Sequence, residues 1–288
     1  MRRLRLLSEL ARRGTIAEVA RGVGYTASAV SQSLSQLERE VGLALLERDG
    51  RRVRLTPAAH ALVARTDRVL AELDAAEAEL AAEQQTVRGE VVIGSFPSAA
   101  TGLVVPAARE LARRHPDLSC SVREHEPEDG IALLRSGELD LLVSESYGDV
   151  ESAPTGGLAS HLLLEEPLCL VLQPGGRSDP VPLAELAEAP WIIGLAGTQF
   201  AAAVELACRS AGFAPHVAHR ADDALLIHAL VASGAGVALL PVLACCGAEG
   251  VRYARAVPEP PSRHVWALAR RGAERRPGVA AALEALRA

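Results

Sequence analysis

The sequence predicts a chain of mixed α/β class, in which a small helical region and one long helix precede a larger α/β body. Three observations predict this order. Apolar residues recur at intervals of three and four in the first 57 residues, an Ala-, Leu- and Glu-rich run continues from Pro57 to about Gln85, and strand-like and helical runs alternate from Glu90 onward. A length of 288 residues accommodates two or three domains.

Composition and charge narrow what the chain can be. Apolar residues make up 49% of the sequence, which excludes intrinsic disorder over most of it, and aromatics make up 3%, so the cores are built from Leu, Val, Ile and Ala. Charge is unevenly distributed: residues 1–57 hold 11 Arg against 6 acidic residues, whereas residues 89–288 hold 16 against 24. A basic N-terminal region followed by an acidic C-terminal region suggests that the N-terminal region binds a polyanion.

The first helices are recognised by their capping residues. Gly14 ends a first helix, Thr15 can cap a second, and Gly24-Tyr25 is a turn before a third helix that Thr26 or Ser28 caps. The third helix buries an apolar stripe that consists of Val30, Leu34, Leu37 and Val41. Helix, tight turn and helix together predict a helix-turn-helix.

A hairpin is predicted directly after these helices. Asp49-Gly50 is a preferred pair for a two-residue hairpin turn, and it lies between two short arms. Both arms carry basic side chains: Arg48, Arg51, Arg52 and Arg54. The segment therefore predicts a wing with Arg on both strands.

The long helix that begins at Pro57 carries the apolar spacing of a coiled coil. The residues of this seam are separated by four and three positions: Leu62, Thr66, Val69, Leu73, Ala76 and Leu80. A helix of roughly 28 residues spans about 42 Å and cannot bury such a seam alone, which favours dimerisation. The alternative is a helix that packs on its own domain.

The body alternates strands with helices, as expected of an open α/β sheet. One stretch, Ala224 to Ala248, has no formal charge, but Ser233-Gly234-Ala235-Gly236 and Pro241 interrupt it. It is therefore interpreted as a buried helix, a turn and a strand rather than a membrane span. Strands are predicted at residues 91–93, 118–124, 139–144, 168–172, 191–194, 217–220, 237–240 and 264–269, and a final helix at Pro277 to Arg287.

A resemblance to the LysR-type transcriptional regulators begins in the segment RLRLLSELARRGTIAEVARGVGYTASAVSQSLSQLEREVGLALLERDGRRVRLT. It continues through the long helix, EVVIGSF, GELDLLVSE and AGFAPHVAHRADDALLIHALVASGAGVALLP, and it covers nearly the whole chain. It implies a winged helix-turn-helix, a linker helix for dimerisation, and an effector-binding domain of two lobes, similar to a periplasmic solute-binding protein. The implied ranges are 1–57 (helix-turn-helix 15–34), 58–88 and 89–288, with lobe I at 89–160 and 271–288 and lobe II at 161–270.

The resemblance also implies partners. The partners are a double-stranded DNA operator, a small-molecule effector, further copies of the chain in a homodimer or homotetramer, and RNA polymerase. Five cysteines without a CxxC pair, and an N-terminus without the apolar core of a signal peptide, predict a cytoplasmic protein. Where the family usually has Ser-Gln-Pro this chain has Thr26-Ala27-Ser28, and Gln32 stands where Arg is frequent, so the operator bases are not readable from the sequence.

The third helix has the chemistry of a recognition helix. Five polar residues on one face are by themselves typical of a solvated surface. The helix pair before them and the Arg-rich hairpin after them favour DNA contact, in which Gln can pair with adenine and Arg with phosphates or a minor groove. The DNA-binding candidates are Thr26, Ser28, Ser31, Gln32, Ser35, Gln36, Arg48, Arg51, Arg52 and Arg54.

Two loop-to-helix junctions in the body are candidates for effector capture. Free N–H groups at a helix start favour an anion, and such starts are predicted near Ser98 and Thr198. The resemblance implies that the two loops face each other across the interlobe cleft, while plain N-capping by the two hydroxyls is the alternative. Ser144, expected at a strand end beside Glu145, is a weaker addition. The effector-binding candidates are Ser98, Ala99, Thr101, Ser144, Thr198 and Gln199.

Catalytic and redox functions receive little support. The chain has no GxGxxG after a strand, no P-loop, no GxSxG and no metal spacing among its histidines, so no cofactor, metal or enzymatic activity is predicted. Cys208 lies in the Cys-x-x-Ala-Gly context of the peroxide-sensing branch of the family, but no cysteine stands near Thr198 or Gln199, which favours an inert buried thiol. The competing hypothesis is a stand-alone solute-binding or enzymatic α/β protein with an incidental N-terminal helical domain.

Overall fold

The computed structural model describes residues 2–49, 52–83, 87–148, 158–175, 179–245 and 247–288. The chain divides into two compact units. Unit 1 comprises Met1–Val143, Thr155–Ser160 and Ala267–Ala288, and unit 2 comprises Ser144–Pro154 and His161–Trp266. The chain therefore enters unit 2 at Ser144, passes through unit 1 again at Thr155–Ser160, and returns to unit 1 at Ala267 for its last segment.

Three helices and a hairpin form the N-terminal domain within unit 1. They are α1 (Arg2–Arg13), α2 (Ile16–Gly22), α3 (Ala27–Val41), β1 (Leu46–Asp49) and β2 (Arg52–Leu55). The Thr15 hydroxyl caps α2 by accepting from Glu18 N, and the Thr26 hydroxyl caps α3 by accepting from Ala29 N, both at 3.2 Å. The expected helix-turn-helix and hairpin are confirmed, and Thr26 rather than Ser28 is the cap of α3.

One long helix, α4 (Pro57–Glu83), follows the hairpin. Leu62 packs against the core of the N-terminal domain, and Thr66 is buried. Val69, in contrast, is 52% exposed, and Ala76 is exposed as well. Its own domain therefore covers the seam only at the N-terminal end of α4, while the side chains of Leu73 and Leu80 lie outside the described residues.

Strands and helices alternate in the rest of the chain. In chain order they are β3 (Gly89–Ser95), α5 (Pro97–Ala99), α6 (Val105–Arg114), β4 (Leu118–Glu124), α7 (Pro127–Ser136), β5 (Leu141–Tyr147), β6 (Leu158–Glu166), β7 (Leu168–Leu172), β8 (Val181–Pro182), β9 (Pro190–Ile193), α8 (Gln199–Ser210), β10 (His216–Arg220), α9 (Ala224–Ala232), β11 (Ala238–Pro241), β12 (Arg252–Ala254), β13 (Ala256–Val257), β14 (Arg263–Arg270) and α10 (Pro277–Arg287). A five-stranded sheet has the order β4-β3-β5-β14-β6. Within it β3 pairs in parallel with β4 and β5, as the α/β class predicts.

A three-stranded sheet of order β11-β7-β12 separates two apolar clusters of unit 2. Strand β7 pairs antiparallel with both neighbours. Its Leu168, Leu170 and Leu172 belong to the cluster around Trp191, whereas Val171 belongs to the cluster around Ile227. Alternation of side chains along β7 thus assigns its residues to two different cores.

Several expectations from the sequence are confirmed and others are wrong. A helix, α9, and a strand, β11, lie between Ala224 and Ala248 as expected, but the helix is not buried throughout, since Leu225 is 71% and Leu226 50% exposed. Strand β5 extends to Tyr147, so Ser144 lies in the middle of a strand and not at its end. Strand β6 was not expected, because LASHLLLEE lacks the apolar–polar alternation of a strand. Among the helices that the structure describes, none is long and apolar enough to cross a membrane.

Candidate functional site

Helix α3 presents two faces of opposite chemistry. Val30, Leu34 and Leu37 are at most 5% exposed and belong to the core of the N-terminal domain. The other face is solvent-accessible and consists of Thr26, Ser28, Ser31, Gln32 and Ser35. Since the apolar stripe fixes the helix on the core, these hydroxyl and amide groups are held outward without a change of fold.

The polar side chains of α3 differ in the hydrogen bonds that they already form within the N-terminal domain. Thr26 uses its hydroxyl oxygen to accept from Ala29 N, which leaves the hydroxyl hydrogen for another acceptor. Gln36 is half-buried and donates through Nε2 to Glu40 Oε1 at 3.2 Å. Glu40 in turn pairs with Arg3 at 3.0 Å. The amide of Gln36 is therefore held by a carboxylate on its own helix, unlike that of Gln32.

The hairpin after α3 is anchored by its apolar side chains. Leu46 lies opposite Leu55 and Val53 opposite Arg48 in the antiparallel register, and Leu46, Val53 and Leu55 pack against the N-terminal core. Arg54 alternates with them and is exposed. The side chains of Arg48 and Arg52, and the whole of Arg51, lie outside the described residues.

An aromatic residue in the turn before α3 is a surface feature that the sequence did not single out. The Tyr25 ring is 40% exposed, and the Arg2 guanidinium lies 4.5 Å from its centroid. Such a cation–π contact brings a cation from α1 to the turn beside the recognition face. The pairing could not be foreseen, because it joins residues on two different elements.

Helix α1 also contacts the body of unit 1. Arg5 Nη1 donates to the Ser136 carbonyl oxygen at the end of α7, at 2.8 Å. Glu9 is 3% exposed and lies 3.0 Å from Arg13 Nε and 4.0 Å from Arg135 Nη1. Polar and charged groups therefore join the N-terminal domain to α7 within this unit.

The first candidate effector segment lies in unit 1 after β3. Its helix begins at Pro97 with Phe96 in the N-cap position, so Ser98 is not the cap. Ala99 is fully buried, and Thr101 is exposed and donates from its hydroxyl to the carbonyl oxygens of Pro97 and Ser98 at 3.1 Å. A π-helical stretch, Ala100–Val104, connects α5 to α6.

The second candidate effector segment lies in unit 2 before α8. Thr198 is the N-cap residue of α8: its hydroxyl accepts from Ala201 N at 3.1 Å and donates to Leu195 O at 2.9 Å. Gln199 is exposed. Asp222 accepts from Leu195 N at 2.9 Å and thereby fixes the loop. The capping alternative thus holds for Thr198.

Ser144 was expected at a strand end, as a candidate for effector contact. It lies instead in the middle of β5 and is 1% exposed, so its side chain is not accessible to an effector. The neighbouring Glu145 carboxylate lies 3.0 Å from the Arg263 guanidinium, which also binds Glu166 Oε1 through Nε at 2.8 Å. Glu166 accepts from Leu243 N with its other oxygen at 2.7 Å. Glu145 therefore shares a buried arginine with Glu166.

The thiols of unit 2 differ in burial. Cys208 is fully buried, and burial raises the pKa of its thiol to about 12, in agreement with the expected inert role. Cys169 and Cys245 are half-buried. Cys246 lies outside the described residues. In the part of the chain that the structure describes, no group of three or more His, Cys, Asp or Glu side chains could hold a metal ion.

Comparison with known proteins gives consistent matches over both regions. Residues 1–60 match the family model described as bacterial regulatory helix-turn-helix protein, lysR family, and residues 84–288 match the LysR substrate binding domain. A probable hydrogen peroxide-inducible genes activator of Streptomyces viridosporus is 32% identical over 244 residues, which cover 83% of this chain and 76% of that protein.

The DNA-binding transcriptional dual regulator OxyR of Escherichia coli (strain K12) is 29% identical over 270 residues, covering 90% of this chain and 85% of that protein. A solved full-length OxyR variant from Pseudomonas aeruginosa superimposes with a TM-score of 0.64 at 21% identity, covering 99% of this chain and 97% of that one. That superposition shows a shared fold.

Proposed function

Because this chain belongs to the lysR family of bacterial regulatory helix-turn-helix proteins, we propose that it reads an operator through α3 and answers to an effector bound by its C-terminal domain. It is a DNA-binding transcriptional regulator. The observation that carries the assignment of the reading surface is the division of α3, which buries Val30, Leu34 and Leu37 and exposes Ser31, Gln32 and Ser35.

The exposed residues of α3 and the wing have different roles in this proposal. Gln32 is exposed and is assigned to a base edge, since an amide can donate to and accept from adenine at once. Thr26, Ser28, Ser31 and Ser35 supply further hydroxyl contacts, and Gln36 contributes less because Glu40 already holds its amide. The wing arginines Arg48, Arg51, Arg52 and Arg54 are assigned to phosphates, which provide affinity rather than sequence choice.

Assembly through α4 would place two such surfaces on one DNA. Val69 and Ala76 are exposed on the seam, while Leu62 is covered by its own domain. A second copy of α4 is the occupant proposed for the exposed part, giving a homodimer or, by pairing of dimers, a homotetramer. Two recognition helices then meet half-sites separated by about 34 to 36 Å or a multiple of it.

Effector capture is assigned to the helix starts around Ser98, Ala99 and Thr101 and around Thr198 and Gln199. Backbone N–H groups at a helix start attract a carboxylate or another acceptor. Thr198 combines a capping hydroxyl with such N–H groups, whereas Ser98 lies inside the first turn of its helix and Phe96 is the N-cap residue. Ser144 has no place in this assignment, because it is buried within β5.

The domain division that accompanies this proposal is 1–57 for DNA binding, 58–88 for the linker helix and 89–288 for effector binding, with lobe I at 89–160 and 271–288 and lobe II at 161–270.

The relatives are transcriptional regulators. We propose that this chain likewise acts in the cytoplasm on DNA, with RNA polymerase as a further partner, and that it performs no catalysis.

A mobility-shift assay on DNA upstream of the protein's own gene tests the proposal. Labelled fragment should be retarded, unlabelled fragment should compete, and a shuffled fragment of the same composition should not. A stand-alone solute-binding or enzymatic α/β protein would retard neither fragment. Equal competition by both fragments would reduce α3 to a non-specific DNA contact and contradict the assignment of Gln32.

A further inference from the structure

Strand β7 places one cysteine on the same face as an apolar core of unit 2. Successive side chains of a strand point to opposite faces. Leu168, Leu170 and Leu172 lie in the cluster around Trp191, so Cys169 shares the face of Val171, which belongs to the other cluster. The sequence alone did not single out this thiol.

A second cysteine, Cys245, lies just after the end of β11 and on the same side of the sheet as Cys169. Leu240 lies directly opposite Cys169 in the antiparallel register of β11 and β7. A short 3-10 turn, Val242–Ala244, then folds the chain back, so that Cys245 Sγ lies 4.0 Å from Leu240 O and 3.4 Å from Pro241 O. Cys245 packs against the same cluster as Val171, and it is close enough to Cys169 to act on the ionisation of the Cys169 thiol.

The environment of the pair activates Cys169. The interaction with the Cys245 side chain lowers the pKa of the Cys169 thiol to about 7, although burial and the carboxylates of Glu166 and Asp179 oppose this. A substantial fraction of Cys169 is therefore thiolate near neutral pH, and a thiol whose pKa lies near the ambient pH is the best attacking group in disulfide exchange. Burial instead raises the pKa of the Cys120 and Cys208 thiols.

From this arrangement we propose that Cys169 and Cys245 form a reversible dithiol–disulfide site that exchanges with small, uncharged disulfides. The inference goes beyond the regulatory function proposed above and does not depend on it. A small reagent is required because both thiols are half-buried. An uncharged one is favoured because the Glu166 and Asp179 carboxylates, whose charges act on Cys169, disfavour an anion.

The exchange takes place in two steps, a mixed disulfide at Cys169 and then closure of the protein disulfide. The Cys169 thiolate attacks one sulfur of the reagent, its S–S bond breaks, and one small thiolate leaves and takes up a proton, which produces a mixed disulfide at Cys169. The Cys245 sulfur then attacks Cys169 Sγ, loses its own proton to the second small thiolate as that group leaves, and closes the Cys169–Cys245 disulfide. Two protein thiols are oxidised and one reagent disulfide is reduced to two thiols.

The test uses the full-length reduced protein and hydroxyethyl disulfide as the reagent. After exchange, remaining thiols are blocked with N-ethylmaleimide and the protein is digested with trypsin without reduction. The chain contains no Lys, so Cys169 lies in the peptide 136–177 and Cys245 in the peptide 221–252. The expected product is these two peptides linked, lighter than their sum by two hydrogens and released by dithiothreitol.

Single serine variants identify the sulfurs involved. Cys169→Ser and Cys245→Ser should each abolish the linked peptide, whereas Cys246→Ser, which alters the other cysteine of the same peptide, and Cys208→Ser should retain it. Fragment-ion spectra of the wild-type product locate the bond without any variant. Linkage through Cys246, or complete N-ethylmaleimide labelling of Cys169 and Cys245 after treatment with the reagent, would overturn the proposal. The anionic reagent dithiodipropionate should react more slowly than hydroxyethyl disulfide, and an equal or faster rate would overturn the assigned preference for an uncharged reagent.

Discussion

Helix α3 of the N-terminal domain and the Arg263–Glu166 pair of unit 2 differ in where their polar side chains lie, exposed in the first and buried in the second. In the N-terminal domain, α3 turns its serines and Gln32 to solvent and gives only apolar side chains to the core. In unit 2, Arg263 and Glu166 are at most 4% exposed and bind each other across 97 positions of the chain. The surface proposed to read DNA is thus assembled from neighbours in sequence, whereas the polar groups of unit 2 are brought together by the fold.

This difference distinguishes residues proposed to bind DNA from residues that stabilise the fold. An outward side chain on α3 can be changed at little cost to folding, because it contacts solvent. A buried ion pair cannot lose one partner without leaving the other charge uncompensated in a poorly hydrated interior. Substitutions in the two regions should therefore be distinguishable by whether stability or DNA affinity changes.

The largest effect is expected at the buried pair. Glu166→Gln removes the more deeply buried of the two carboxylates that bind Arg263, leaves Arg263 only the less buried Glu145, and keeps an acceptor for Leu243 N. It should lower the free energy of unfolding by about 3 to 5 kcal/mol. Urea unfolding followed by tryptophan fluorescence reports on this unit, because Trp191 and Trp266 both belong to it.

The neighbouring Glu165→Gln is the matched control for that measurement. Glu165 is 56% exposed and lies 3.6 Å from His264, so its loss should change the free energy of unfolding by no more than about 0.5 kcal/mol. Equal effects of the two variants would show that burial of the Arg263 network does not govern the stability of unit 2.

The next largest effect is expected on assembly. Val69→Glu places a charge in the exposed part of the α4 seam, and two copies per dimer should weaken association by about 3 kcal/mol or more, since each Val lost costs about 1.5 kcal/mol. Sedimentation velocity should show the dissociation constant rising by about a hundredfold or more. Ala64→Glu, exposed on the same helix but off the seam, should leave it unchanged.

A smaller effect is expected at the DNA surface. Gln32→Ala should weaken binding to the operator by about 1 to 3 kcal/mol and leave binding to random DNA nearly unchanged. Gln36→Ala should cost less, because Glu40 already engages the Gln36 amide. Fluorescence anisotropy with both DNAs measures the difference, and equal losses on operator and random DNA would identify Gln32 as a phosphate contact.

The smallest effect is expected at the two helix starts. Thr198→Ala removes the cap of α8 and should lower stability by about 1 kcal/mol, whereas Thr198→Ser retains the hydroxyl and should not. Ser98→Ala should lower stability by less than Thr198→Ala, because Phe96 and not Ser98 occupies the N-cap position there. Thermal unfolding of the three variants checks this order, and a loss in Ser98→Ala as large as that in Thr198→Ala would contradict it.

The sequence predicted the N-terminal domain well because its determinants are local. Thr15, Gly14 and Thr26 define helix ends within four residues of themselves. The buried Val30, Leu34 and Leu37 of α3 follow from its period, but Val41, expected in the same stripe, is 39% exposed. Ser144 was misplaced because a strand end cannot be located by composition. The Cys169–Cys245 pair was not foreseen, since it requires the register of β7 against β11, which nothing local to either cysteine encodes.

The most direct test of the regulatory function is the ratio of affinities for specific and scrambled DNA. Full-length protein is titrated onto the site that footprinting identifies upstream of its gene, and onto a scrambled version, at one fixed salt concentration, because phosphate contacts make both affinities salt-dependent. A specific regulator should prefer its own site by a factor of about 10³ or more. Equal affinity for the two DNAs would contradict sequence reading by α3.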